Sequence, residues 1–80
     1  MAGLKSMTRQ EFLDLAGGEP FINEWTHGQG HREWTDIVMT FEGRVAVSEF
    51  VHYDDREDAK KEAYAKLFNA LTDPETLPKP

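Results

Sequence analysis

Cysteine is absent from this chain. That excludes a disulfide framework and a thiolate zinc site, and a small domain lacking both is expected in a reducing interior, cytoplasm or nucleus. Long hydrophobic runs are missing too. No stretch approaches the roughly 20 apolar residues that span a bilayer, and the opening "MAGLKSMTRQ" has no apolar centre of signal-peptide length. A soluble protein with no membrane partner is expected. Basic charge is also scarce, with 9 lysines and arginines against 15 acids and a formal net charge of -6. Proteins that live by nucleic-acid contact usually carry a basic excess or stripe, so the balance counts against a polyanionic partner unless cations cluster locally.

Catalytic constellations are lacking as well. No Ser, His and Asp grouping, no phosphate-cradling glycine loop and no buried-looking carboxylate pair occurs, so an enzyme, and with it a small-molecule substrate, is not expected. His27, His31 and His52 do not make a metal site: the four-residue gap between the first two spans a glycine turn, and no cysteine completes the set. The acids of "DDRED" lack the alternation and central glycine of a calcium loop and read as helix-capping residues. No metal and no cofactor is expected.

What is present is one domain's worth of patterned chain. Eighty residues bury only about 60 to 65% of their unfolded surface, so the core must be small. Thr8 with Glu11 three residues on forms a capping signature, and Met7 is placed to staple against Phe12. A helix follows from Arg9 with Phe12, Leu15 and Ala16 on one face, ended by Gly17 and Gly18. "PFINEWTH" alternates as a strand, with Phe21, Asn23 and Trp25 on one side and Ile22, Glu24 and Thr26 on the other.

"GQG", residues 28–30, reads as a loop, and "HREWTDIVMTF" as a second strand that turns at Glu42 and Gly43 into a third, "RVAVSEFVHY". That turn pairs Phe41 with Arg44, Met39 with Ala46 and Ile37 with Ser48 on one face, and Val38 with Val47 and Asp36 with Glu49 on the other. Two opposed acids belong in solvent. The core face is therefore Ile37, Met39, Phe41, Ala46 and Phe50, leaving Val38, Val45, Val47, Val51 and Tyr53 as an outward apolar stripe. Trp25 and Trp34, flanking the loop, read as core or sheet packing rather than a stacking platform.

A last helix opens with Asp54 as cap and Glu57 behind it, and buries Ala59, Ala63, Leu67, Ala70 and Leu71, widened by Tyr64 and Phe68. "TDPETLPKP" stops it. The expected division is a tail at 1–7, a domain at 8–72 and a tail at 73–80. The fold class is α+β, in the order α-β-β-β-α, with a three-stranded antiparallel sheet and both helices packed on one face.

That order resembles the double-stranded RNA-binding domain over most of the chain. "GQGHREW" resembles the first inter-strand loop of that family, and "AKKEAYAKLFNAL" its second helix, with paired lysines ahead of an alanine-rich face. The resemblance implies shape-based, sequence-independent recognition of A-form RNA at modest affinity. Its contacts would be Arg9 and Gln10 on the first helix, Gln29 and His31 in the loop, and Lys60 and Lys61 on the second helix. The departures are Gln29 where a proline is usual, Tyr64 at the third lysine, and "VHYDDRED" in place of a glycine-rich lead. Asp54, Asp55, Glu57 and Asp58 stand within a Debye length of about 8 Å from the lysines and weaken any grip on phosphate.

Two other functions fit the same residues. One is a protein-interaction or dimerisation module that has lost RNA binding and uses the third strand with Val45, Val47, Val51 and Tyr53. The other is a small acidic inhibitor that occupies the nucleic-acid groove of a host factor.

Overall fold

Thr8 and Glu11 close the first helix reciprocally: the Glu11 amide donates to Thr8 Oγ1 at 3.1 Å and the Thr8 amide donates to Glu11 Oε1 at 2.8 Å. The second bond, above all, holds the Glu11 carboxyl below its ordinary pKa. In this computed structural model, which describes residues 4–72, the helix α1 spans Arg9–Ala16. Gly17 ends it in the left-handed region at φ 80°, its amide donating to the Leu13 carbonyl. Gly18 lies so close to Phe41 that a Cβ there would stand 3.0 Å from the ring. Met7 and Phe12 are buried, as the staple requires. Leu15 is exposed, contrary to the reading of its helix face, because the buried sector swings the other way, through Phe12, Leu13 and Ala16.

Three strands form an antiparallel sheet in the order β1 (Phe21–Gln29), β2 (Arg32–Phe41), β3 (Arg44–Phe50). The β2–β3 register is the expected one, from Thr35 opposite Phe50 to Phe41 opposite Arg44. Its turn has positive φ at both Glu42 and Gly43, the twist that suits a two-residue hairpin. The first turn departs from expectation. Gly28 and Gln29 belong to β1, and the connection is only Gly30 and His31, with Gly30 at φ 63°. The third strand stops at Phe50 rather than running to Tyr53, since the chain must bend to carry the next helix back over the sheet.

That bend is a 3-10 turn, Tyr53–Asp55, followed by α2, Arg56–Thr72. Asp54 therefore sits inside the turn and is not the cap expected of it; the residue before the turn, His52, makes no side-chain cap bond. α2 lies across β2 and β3, and α1 packs on α2. Phe12 joins the layers, meeting Phe41 edge-on at 5.5 Å and Tyr64 at 5.6 Å. Both helices thus cover one face, over Ile37, Met39, Ala46 and Phe50, with Ala59, Ala63, Tyr64, Ala65 and Leu67 buried from α2. Contacts begin ahead of residue 8. The Asn69 amide donates to the Leu4 carbonyl at 2.9 Å and accepts from its N–H, and the Met7 amide donates to the Lys61 carbonyl. The expected tail at 73–80 lies outside the described residues. Among the described residues no helix is long and apolar enough to cross a membrane.

Candidate interaction surface

Alternation along each strand sends every second side chain away from the helices. With the observed register, that outer face carries Phe21, Asn23, Trp25 and His27 from β1, Arg32, Trp34, Asp36, Val38 and Thr40 from β2, and Val45, Val47 and Glu49 from β3. No element packs on it among the described residues. Its large apolar side chains are open to solvent: Phe21 is 67% exposed, Trp25 55%, Val45 59% and Val47 46%. Large apolar side chains gathered on one uncovered face mark a candidate interaction site.

The middle of the face is polar. Asp36 stands opposite both Trp25 and Glu49. His27 Nε2 reaches Asp36 Oδ2 at 2.9 Å, and the His27 ring stacks on Trp34 at 5.2 Å. Glu49 has no ion-pair partner among the described residues. Toward the hairpin tip, a groove of about 720 Å³ runs between Gly30, His31, Arg32, Glu33, Trp34, Glu49 and Val51. Of the expected protein-contact residues, Val45 and Val47 share the sheet face, Val51 lines the groove, and Tyr53 sits apart on the 3-10 turn, well exposed.

The residues proposed for RNA fall in three separate places. Arg9 and Gln10 on α1 are engaged nearby, Arg9 with Glu19 at 2.7 Å and Gln10 with Asp14 at 2.9 Å. Gln29 and His31 lie at the hairpin tip. Lys60 and Lys61 are on α2, and among the described residues neither makes an ion pair. Lys60 is half-buried, because at about 100° per residue it shares the azimuth of the buried Ala63 and Tyr64. Beside it, Arg56 clasps Glu24 of β1 with two bonds, Nε to Oε1 at 2.9 Å and a terminal nitrogen to Oε2 at 2.7 Å. These bonds hold the Glu24 carboxyl below its ordinary pKa against the opposing effect of burial, and Lys60 adds to the same field. From Glu24 to Gln29 at the hairpin tip is five steps of strand, about 17 Å at 3.3 Å each.

Phe21, Trp25 and Trp34 are the residues that sequence reasoning missed as surface. Their signal was the Asp36–Glu49 pair, which already puts one face in water, but linking Trp25 to it needed the two-residue turn at Gly30 and His31. No protein-family model, curated protein or solved structure matches the chain. The likeness to the double-stranded RNA-binding domain rests on element order and the quoted motifs alone.

Proposed function

We propose that the chain is a protein-interaction module that binds a basic partner through the uncovered face of its sheet. The observation that carries this reading is the exposure of Phe21, Trp25, Val45 and Val47 together on one side of a sheet whose other side holds the whole core. Charge selects the partner. The face has acids at its centre, Asp36 and Glu49, and Arg32 as its one fixed positive charge, within a chain of net charge -6. A second copy laid face to face would set acids near acids, whereas a protein with an apolar surface and central lysine or arginine would satisfy both components.

A photo-crosslinking residue at Val45, with Asp58 on the far side of α2 as control, tests this in the native cell. The expected result is one discrete adduct from position 45, to a basic protein, absent from position 58 and lost in Phe21→Ser. Equal labelling from both positions, or none from 45, would overturn it.

A second reading, duplex RNA, is favoured by one observation: the ammonium groups of Lys60 and Lys61 have no ion-pair partner among the described residues. The engaged Arg9 and Gln10 and the surrounding acids place it behind the first.

A further inference from the structure

The two edges of the sheet are treated differently by the rest of the chain. Residues flanking a two-residue hairpin turn bond to each other, so bonding to the neighbour strand alternates from there. On β3 this turns the backbone groups of Val45, Val47 and Glu49 outward. Lys66 of α2 takes one of them, donating to the Val47 carbonyl at 2.9 Å, and so blunts that edge. On β1 the outward groups are those of Ile22, Glu24, Thr26 and Gly28. Among the described residues they have no backbone partner, and α2 reaches this strand through Arg56, which bonds the Glu24 side chain and leaves its backbone groups free.

The β1 edge also lacks the usual safeguards against pairing. It is nine residues long and contains no lysine and no proline. Its one carboxylate, Glu24, is neutralised by the two-pronged bond from Arg56. Within an acidic molecule this edge is locally close to neutral.

We propose that a second copy of the chain pairs its β1 antiparallel with this β1, about a two-fold axis at Trp25, making a continuous six-stranded sheet. The outward groups then meet in register: Glu24 bonds Thr26 of the second copy, and Ile22 bonds Gly28. Between these pairs the two Trp25 side chains stand directly opposite, Asn23 faces His27 and Phe21 faces Gln29. No like charges are opposed. A β3 pairing centred on Val47 would instead have to displace Lys66 from both copies. Edge pairing leaves both outer faces open side by side, with Trp25 at the seam between them.

Sedimentation equilibrium and amide exchange of the full chain test it together. The expected result is a dimer in the micromolar range, with the Ile22, Glu24, Thr26 and Gly28 amides gaining protection as concentration rises. Trp25→Lys places two ammonium groups against each other at the axis and should weaken association by about tenfold or more while the exposed site leaves the fold intact. Thr26→Pro removes an outward N–H that β2 does not use, and should also give a folded monomer. A strict monomer at high concentration, a dimer indifferent to Trp25→Lys, or protection gained at Val45 and Glu49 instead would overturn it.

Discussion

A lysine at position 64 would have to bury its ammonium beside Phe12, so this position of the helix serves the core and offers no cation to a phosphate. Tyr64 is buried, its ring against Phe12 at 5.6 Å, and among the described residues its hydroxyl has no hydrogen-bond partner. Burial pushes the pKa of that hydroxyl up. An unpartnered buried hydroxyl costs about 1 to 3 kcal/mol in desolvation, so Tyr64→Phe is expected to leave stability unchanged or raise it by about 1 kcal/mol in urea unfolding at neutral pH. The pH dependence follows from the direction of the shift. A raised pKa in the folded state means that the folded protein holds its proton where the unfolded chain has released it, so stability falls as pH rises above the ordinary tyrosine value of about 10. Tyr64→Phe should remove that part of the alkaline loss. An identical alkaline decline in both proteins would contradict the burial of this hydroxyl.

Elements are fastened here by polar contacts between segments far apart in the chain. α2 is tied to β1 by Arg56 and Glu24, to β3 by Lys66 and Val47, and to the segment before α1 by Asn69 and Lys61. The first tie has a definite acid signature. The Glu24 pKa is lowered on folding, so between its folded value and the unfolded value of about 4.3 the unfolded chain binds more protons. The stabilisation is present above that unfolded value and is lost as pH falls through the folded one. Glu24→Gln is expected to cost about 1 kcal/mol at pH 7, and to flatten acid unfolding relative to the native chain; equal acid midpoints would show that the clasp contributes nothing. Such ties explain what the sequence could and could not disclose. The Thr8–Glu11 box, the Gly17 cap and the Glu42–Gly43 turn are made by neighbours and were legible. The Glu24–Arg56 clasp joins residues 32 apart and depends on register, so nothing local announced it. The false cap at Asp54 has the same origin: a capping pattern was present, but the tertiary bend claimed those residues for a 3-10 turn.

At the scale of the whole molecule, the sheet separates an apolar core from an outer face that mixes exposed apolar side chains with acids, and the sequence shows both as the same alternating strands. The acids Asp36 and Glu49 told the two sides apart in β2 and β3, which made Val45 and Val47 legible as surface. β1 carried no comparable marker, so Phe21 and Trp25 were not. Charge then ranks the partners. With 15 acids against 9 basic residues, and with Arg9 and Arg56 held by carboxylates, a duplex would find mainly Lys60 and Lys61. Two phosphate contacts imply that log K falls with log salt at a slope of about -2, so affinity drops about tenfold between 50 and 200 mM salt, against the 10³-fold or greater loss of proteins making many contacts. Titration of an A-form duplex should therefore show weak binding confined to low salt and abolished by Lys60→Ala with Lys61→Ala. Binding that survives the double substitution would move the RNA surface elsewhere, to the hairpin tip at His31 and Arg32. No binding at the lowest salt would remove duplex RNA as a partner of Lys60 and Lys61.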